Sequence, residues 1–167
     1  DQTTTLATLA VKHALLNQGV AHIGIPNDVQ KLPCDSEILP FEGRMPNLAY
    51  GQEEAVVEQA AKLVDSAIRP VILAGFGARG QGIKLLRLAE KISAPIVSTF
   101  RAKGVVDEHE ALYVGCHGGI GSTAAAELVS KTDLLIVVGA SFSDLSLLPQ
   151  KRMVQIDINP LMIARRY

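Results

Sequence analysis

Three glycines follow a short apolar run near the middle of the chain at the spacing G-x-G-x-x-G. They are Gly75, Gly77 and Gly80, and the run before them, residues 71–74, has the pattern of a strand buried on both faces. Glycines in such a turn permit a positive φ and a close approach of backbone to ligand, and the amides of the following helix start face an anion. A nucleotide pyrophosphate is the usual occupant, although glycine also serves in these turns for tight strand-to-helix packing alone.

The second part of a dinucleotide fingerprint is missing. An NAD site also needs an acidic residue about 20 positions further on, to hold the ribose hydroxyls. Here that place is taken by Ser98, Thr99 and Phe100. Arg101 leaves an NADP site as an alternative, because a guanidinium can bind a 2′-phosphate. A solvent-exposed cation in a loop also accounts for Arg101.

Three further loops carry residues that suit a nucleotide. Lys103-Gly104 places a point charge beside a flexible backbone, which suits phosphate but also occurs in surface turns. Residues 115–119, Gly-Cys-His-Gly-Gly, predict another glycine-rich turn, in which His117 either touches a cofactor or caps the next helix. Asp157 ends a strand, where its carboxylate either accepts hydrogen bonds from a ribose or adenine or caps the turn at Asn159-Pro160.

The composition excludes several classes of function. The chain of 167 residues is 48% hydrophobic and carries a net charge of −1, with basic and acidic residues interspersed. It therefore lacks the concentrated basic face of a nucleic-acid site. Cys34 and Cys116 are far apart and without histidines at ligand spacing, which favours free thiols in a reducing compartment, the cytoplasm, over a zinc site. No segment approaches the roughly 18 apolar residues of a spanning helix.

The elements that must position these loops alternate between helix and strand. Helices are predicted from residues 3–5 to Gly19 and at 51–68, 81–92 and 121–130, the last with Ser122 as its N-cap. Strands are predicted at residues 20–25, 71–74, 95–98, 134–138 and 153–157, with a short element at 111–114. From residue 71 onwards this alternation predicts an α/β fold, a doubly wound parallel sheet with helices on both faces and ligands at the carboxyl ends of its strands.

Five segments occur in an order that resembles one family. They are RPVILAGFGARG, APIVSTFRAKG, VGCHGG, DLLIVVGASFSD and VQIDINP. The stretch from residue 51 to residue 167 is similar to the central domain of thiamine-diphosphate-dependent 2-oxoacid enzymes, the acetolactate synthase and pyruvate oxidase family. The resemblance implies about six parallel strands of the FAD- and NAD-binding type. It also implies that residues 1–34 end an N-terminal pyrimidine-binding domain, residues 35–50 form a linker and residues 51–167 form the central domain.

In flavin-containing members of this family, the central domain holds the ADP half and the ribityl chain of FAD. Carried over by position, the resemblance implies a cofactor site in four parts: Gly75, Gly77, Ala78 and Arg79 beside the pyrophosphate; Thr99, Phe100, Lys103 and Gly104 as a second wall; Gly115, Cys116, His117 and Gly118 beside the flavin chain; and Gly139, Ala140, Ser141, Asp157 and Ile158 around the adenosine. Acetolactate synthases typically carry an arginine where this chain has Ser141, and another near Leu145. Decarboxylases of the family keep the fold with no nucleotide, so a FAD site and an empty scaffold both stay open.

The resemblance also implies where the chemistry lies. In the family, thiamine diphosphate and Mg²⁺ bind between the N-terminal domain, which supplies a glutamate, and the C-terminal domain, which supplies metal ligands through a GDG motif. Neither motif occurs here, and the chain begins at Asp1. We therefore expect a fragment with no catalytic or metal-binding residue and no activity alone, from a homo-oligomeric enzyme that decarboxylates a 2-oxoacid such as pyruvate. Two alternatives are a stand-alone module that senses an adenine nucleotide and an NADP-linked dehydrogenase domain.

Overall fold

The structure is a computed structural model that describes residues 3–17, 19–33, 51–142 and 148–165. Contacts divide the chain into two compact units, Asp1–Gly51 and Gln52–Tyr167. The first unit contains helix α1 (Thr3–Leu16) and a 3₁₀ turn at Val29–Lys31. The strand predicted at residues 20–25 was wrong: these residues form no strand, and the described part of this unit offers no other strand with which they could pair. The predicted linker, residues 35–50, lies outside the described residues.

The second unit is built around a parallel sheet. Its elements in chain order are α2 (Glu54–Asp65), β1 (Pro70–Ala74), α3 (Gly82–Ile92), β2 (Ile96–Thr99), β3 (Tyr113–His117), α4 (Thr123–Lys131), β4 (Leu134–Val138) and β5 (Met153–Ile156). The strands are ordered β3-β2-β1-β4-β5, and every neighbouring pair is parallel. This confirms the doubly wound α/β fold, with five strands in the part of the chain that the structure describes instead of about six.

Strand β3 is the element that sequence patterns describe least well. The short element expected at residues 111–114 and the turn expected at 115–119 overlap it, since β3 runs from Tyr113 to His117. Its connection from β2 contains a 3₁₀ turn, Phe100–Ala102, and no α-helix. Pairing with β2 makes these residues a strand, because backbone hydrogen bonds to a neighbour outweigh a weak local preference.

Each face of the sheet is covered by its own apolar cluster. Because successive side chains of a strand point to opposite faces, β1 contributes Leu73 to one cluster and Ile72 to the other. The Leu73 cluster includes the α4 residues Ala125 and Val129, whereas the Ile72 cluster includes residues of α3. Burial on both faces explains why β1 and β4 are continuous apolar runs.

The strand order reverses at β1, which pairs with β2 on one side and β4 on the other. Ala74, the last residue of β1, is opposite Ser98 of β2 and Val138 of β4. The carboxyl ends of these three strands therefore lie at one level of the sheet. In open α/β sheets this switch point is where ligands bind.

Asp133 connects two loops at the opposite, amino edge of the sheet. Its carboxylate accepts the backbone N–H of Ile68 at 2.7 Å and that of Arg69 at 2.9 Å. These two hydrogen bonds favour the ionised form and hold the pKa of Asp133 below its usual value. The loop before β4 is thereby joined to the loop that follows α2.

We expect Asp133→Asn to destabilise the chain at neutral pH and to do so less as the pH falls. The folded-state pKa lies below the unfolded value of about 3.9. The stabilisation by Asp133 is therefore complete above the unfolded pKa and is lost as the pH falls through the folded pKa. Urea unfolding of wild type and variant, from neutral pH downwards, measures how the difference between their free energies of unfolding decreases. Asp65→Asn, at the end of α2, controls for the loss of one carboxylate. A difference in free energy of unfolding that stays constant across this pH range contradicts a stabilising role of ionised Asp133.

Candidate functional site

The loops that follow β1, β2, β3 and β4 enclose a cavity of about 190 Å³ at the carboxyl edge of the sheet. We call it the edge cavity. Its lining comes from Phe76 after β1, from Thr99 at the end of β2 with Phe100 and Arg101 after it, from residues 116–121 at the end of β3, and from Ser141 and Phe142 after β4. Four loops that are distant in sequence thus contribute to one cavity at the switch point.

The edge cavity separates the predicted site residues into two groups. Those that line it are Thr99, Phe100, Cys116, His117, Gly118 and Ser141. Those that do not are Gly75, Gly77, Ala78, Arg79, Lys103, Gly104, Gly115, Gly139, Ala140, Asp157 and Ile158. Phe76, Ile120, Gly121 and Phe142 also line the cavity but were not predicted as site residues. Phe76 was overlooked because a dinucleotide fingerprint is defined by the glycines of the motif and not by the residue between them. A bulky aromatic residue between the two glycines was the available signal.

The first two motif glycines pack against the loop after β4. A Cβ atom on Gly75 would lie 2.2 Å from the Gly139 carbonyl oxygen, and one on Gly139 would lie 2.6 Å from the Ala78 nitrogen. The Gly75 N–H donates to the Val138 carbonyl at 2.7 Å, and the Gly77 N–H donates to the Gly139 carbonyl at 2.9 Å. Gly75 and Gly77 therefore allow tight packing of the backbone. This is the alternative role that the sequence left open beside the close approach of a ligand.

Gly80 differs from the other two glycines of the motif. Its φ is +79°, and an added Cβ atom would meet nothing within 4 Å. Gly104, in the loop after β2, has a φ of +83° and the same open surroundings. Both glycines are used for the left-handed backbone that they adopt most readily.

Phe76 is contacted by two guanidinium groups beside the edge cavity. The guanidinium carbon of Arg79 lies 4.5 Å from the centroid of the Phe76 ring, and that of Arg101 lies 4.9 Å from the same centroid. Each such contact contributes about 0.5–1 kcal/mol at an exposed site. This is comparable with the repulsion between two like charges in water, about 1 kcal/mol at 4 Å and less at longer range. The shared ring therefore offsets the repulsion between the two cations.

A small polar cluster joins β2 to β3 next to the cavity. The buried Ser98 hydroxyl lies 2.9 Å from the Tyr113 hydroxyl and 3.3 Å from the Cys116 Sγ. Burial raises the pKa of the Tyr113 phenol, while the hydrogen bond with Ser98 acts in the opposite direction. The phenol is thus neutral at physiological pH. The Sγ atom of Cys116 also lies 3.8 Å from the Tyr113 hydroxyl, so the thiol contacts both hydroxyl groups.

His117 ends β3 and is only 8% exposed. It lines the edge cavity and also a neighbouring cavity whose wall includes Ala126 and Val129 of α4. The alternative that His117 caps the next helix was wrong, because the N-cap of α4 is Ser122, whose Oγ accepts the Ala125 N–H at 3.2 Å. The prediction that Ser122 caps this helix is confirmed.

Replacing Ser122 by alanine is expected to lower the free energy of unfolding by about 1 kcal/mol, the usual cost of removing an N-cap side chain. The Ala125 N–H then loses its acceptor at a helix start that adjoins the edge cavity. Urea unfolding measures the change. Ser130→Ala, in the last turn of the same helix, should change the free energy by less than about 0.5 kcal/mol. Equal effects of the two substitutions would show that the cap contributes nothing specific.

Asp157 and Ile158 follow β5 at the same edge of the sheet. One carboxylate oxygen of Asp157 accepts the Asn159 N–H at 2.8 Å, as the turn-capping alternative predicts. Ile158 is 74% exposed. The Ser141 carbonyl, one strand away, accepts a 3.4 Å hydrogen bond from the guanidinium of Arg165. This hydrogen bond connects the segment after β5 to the loop after β4.

No helix among the described residues has both the length and the apolar character needed to cross a bilayer. The same residues contain no group of three or more His, Cys, Asp or Glu side chains arranged to hold a metal ion.

Comparison with known sequences identifies the family. The family model described as "Thiamine pyrophosphate enzyme, central domain" matches residues 57–167. A "Probable acetolactate synthase large subunit" from Methanococcus aeolicus is 33% identical over 159 residues, which cover 88% of this chain and 26% of that protein. The "Acetolactate synthase" of Mycobacterium bovis is 32% identical over 158 residues, covering 88% of this chain and 25% of that protein. The "Pyruvate oxidase" of Lactiplantibacillus plantarum is 28% identical over 164 residues, covering 95% of this chain and 27% of that protein.

The chain therefore spans about a quarter of the length of each of these relatives. The matched residues include all five described strands and the four loops of the edge cavity. The resemblance predicted from five short segments is confirmed, and the parallel sheet agrees with it. The chain belongs to the thiamine pyrophosphate enzymes, and residues 57–167 are the central domain of an enzyme related to acetolactate synthase and pyruvate oxidase.

Proposed function

We propose that this chain is part of an enzyme that decarboxylates a 2-oxoacid such as pyruvate with thiamine diphosphate and Mg²⁺, and that its edge cavity binds part of FAD. One observation carries the cofactor assignment. At the switch point of the sheet, a cavity lined largely by apolar groups lies beside two guanidinium groups stacked on one ring. A dinucleotide is complementary to such a site, because it has a doubly charged diphosphate for the guanidinium groups and flatter, less polar ends for the apolar cavity.

The size of the edge cavity is compatible with an extended ligand of which only a part is enclosed. Sites that enclose a whole drug-sized ligand measure about 300–1,000 Å³, whereas this cavity measures about 190 Å³. It therefore accommodates one portion of FAD, and the remainder lies along the open rim formed by the loops. The exposed backbone at Gly80 and Gly104 leaves that rim unobstructed.

The residues of this chain would bind and orient the nucleotide half of the cofactor. Arg79 and Arg101 are placed to pair with phosphate oxygens, because a planar guanidinium donates two parallel hydrogen bonds to such a group. Residues 116–118, which line the edge cavity, are assigned to the wall beside the chain that would join the phosphates to the flavin. Asp157 and Ile158 follow the strand next to β4 and are assigned to the adenosine. When bound, FAD supplies a redox-active isoalloxazine ring.

The remaining functions of the enzyme are assigned to segments outside this chain. We place the thiamine diphosphate and Mg²⁺ sites in flanking domains, so that the chain alone is inactive. Residues 1–34 are the tail of a pyrimidine-binding domain, residues 35–50 a linker and residues 51–167 the central domain. The parent enzyme is a homo-oligomer of the cytoplasm. The support for flanking domains is that the chain covers only about a quarter of the length of each relative.

Expression of the gene together with its flanking sequence tests this proposal. We expect the purified protein to carry flavin, seen by its visible absorbance and by release of FAD on denaturation. We expect it to decarboxylate pyruvate or a related 2-oxoacid only with thiamine diphosphate and Mg²⁺, and the present chain alone to do so not at all. A protein that decarboxylates the oxoacid but takes up no FAD would support the empty scaffold, and tight NADPH binding would support the dehydrogenase alternative.

A further inference from the structure

The polar cluster between β2 and β3 is joined to one wall of the edge cavity, residues 116–121, which we call the β3 wall. We propose that Ser98 and Tyr113 are positioning residues that hold β3 in a bulged register and thereby fix the place of the β3 wall. Neither residue is among the described residues that line the cavity, so both act through Cys116. The consequence for ligand binding rests on the proposed nucleotide site, whereas the placement of the wall does not.

Strand β3 carries a β-bulge where it pairs with β2. Ile96 of β2 is opposite Tyr113. The next residue of β2, Val97, is opposite Gly115, so Val114 is an extra residue in β3. Gly115 has a φ of +119°, a conformation that glycine adopts most readily. Because side chains alternate along a strand, one extra residue moves every later side chain to the other face of the sheet.

The bulge decides which side chains of β3 lie on each face. Cys116 is opposite Ser98, and His117 is opposite Thr99. His117 therefore lies on the face that α4 covers, where it lines a cavity together with Val129. Without the extra residue, Cys116 would be opposite Thr99 and would take that face in place of His117.

The polar cluster spans the bulge and favours the bulged register. The Ser98 hydroxyl lies 2.9 Å from the Tyr113 hydroxyl, before the bulge, and 3.3 Å from the Cys116 Sγ, after it. Tyr113 and Cys116 are three positions apart, and residues at that spacing lie on opposite faces of a regular strand. Ser98 is 1% exposed, so a register that separates these groups would leave its hydroxyl buried without these partners, which is unfavourable.

Backbone contacts transmit the register of β3 to the β3 wall. The Cys116 carbonyl accepts the Ser122 N–H at 2.8 Å, and the Gly118 carbonyl accepts the Gly121 N–H at 2.9 Å. A Cβ atom on Gly121 would lie 2.4 Å from the Cys116 carbonyl oxygen. The wall is thus packed closely between Cys116 and the start of α4. A shift of β3 by one residue, about 3.3 Å along the strand, would displace it.

Nuclear magnetic resonance of the His117 ring tests the placement of the wall without any ligand. The chain is labelled at its histidines, and His117→Gln identifies the signals. Ser98→Ala and Tyr113→Phe each remove one hydroxyl of the cluster, and Gly115→Ala strains the bulge through its positive φ. Thr132→Val is the matched control, because it removes another buried, hydrogen-bonded hydroxyl, which lies at the amino edge of the sheet.

We expect the cluster variants and the bulge variant to show new His117 signals at common positions, and Thr132→Val to show none. Ser98 and Tyr113 lie on the other face of the sheet from His117, so common new signals report the register of β3 and not a lost contact. Calorimetric titration should show FAD binding about tenfold weaker in the same variants, the effect of leaving the intact wall in one molecule in ten. Thr132→Val should unfold at a lower temperature and bind FAD as wild type does.

The outcomes separate this inference from the proposed function. Unchanged His117 signals in Ser98→Ala and Tyr113→Phe overturn the positioning role, whatever the chain binds. New signals in Gly115→Ala alone also overturn it, because the bulge then sets the wall without the cluster. New signals in all three variants, with no FAD binding by wild type, support the positioning role and remove the flavin site. An equal loss of FAD affinity in Thr132→Val contradicts the link from the cluster to the ligand, because lost stability then explains the weaker binding.

Discussion

Replacing Gly75 by alanine is expected to destabilise the ligand-free chain by about 3 kcal/mol, the upper part of the usual range for overpacking. The added Cβ atom would lie 2.2 Å from the Gly139 carbonyl oxygen and 2.4 Å from the Cα of Ala140. Both are backbone atoms, which no side-chain rotation can move aside. The ends of β1 and β4 would have to separate, and the hydrogen bond from Gly75 N–H to the Val138 carbonyl would weaken. Urea unfolding without nucleotide measures the loss.

Two other glycines provide controls for this substitution. Gly51→Ala, where an added Cβ atom meets nothing within 4 Å, should change the free energy by less than about 0.5 kcal/mol. Gly80→Ala has equally open surroundings but a φ of +79°, so it should cost about 1 kcal/mol of backbone strain. If Gly75→Ala leaves stability unchanged and weakens only nucleotide binding, the packing role of Gly75 is wrong.

Replacing Ile72 by alanine is expected to cost about 4 kcal/mol, within the range for removing a fully buried aliphatic side chain. Ile72 is 0% exposed on the central strand, opposite Ile96 of β2 and Ile136 of β4. Rigid strands surround the resulting cavity on both sides, so little collapse can refill it. Since small domains have a total stability of about 5–15 kcal/mol, this variant is expected to be near the limit of folding at room temperature.

A smaller substitution keeps the Ile72 prediction measurable. Ile72→Val should cost about 1 kcal/mol, which urea unfolding resolves even if the alanine variant is largely unfolded. Ile68→Ala, at a position that is 86% exposed, is the matched control and should have an effect below about 0.5 kcal/mol. Similar losses at Ile68 and Ile72 would contradict the placement of Ile72 at the centre of the sheet.

Together these substitutions distinguish two roles at the switch point. Gly75 and Gly139 hold the central strands together, whereas Phe76, between Gly75 and Gly77, lines the edge cavity. Adjacent residues of one motif thus serve packing and recognition separately. Stability measurements report on the first role, and ligand titrations report on the second.

Much of the fold follows from local sequence patterns. The strand at residues 134–138 was predicted with the bounds that the structure has, and those at 71–74 and 153–157 differ by one residue at one end. Strands buried on both faces need continuous apolar runs, and such runs can be recognised in the sequence without knowing which strands lie beside them. Ser122 was recognised for a similar reason, because an N-cap depends only on residues within one turn of helix.

The sequence by itself determined the family, the order of the elements and which loops carry candidate residues. Tertiary structure decided that residues 20–25 stay unpaired while Tyr113–His117 form a strand, because a strand depends on a partner from elsewhere in the chain. It also decided that Gly75 meets Gly139 and that Arg79 and Arg101 share the ring of Phe76. Local patterns encode backbone preference and periodicity, whereas contacts between distant loops depend on the order in which the folded strands lie side by side.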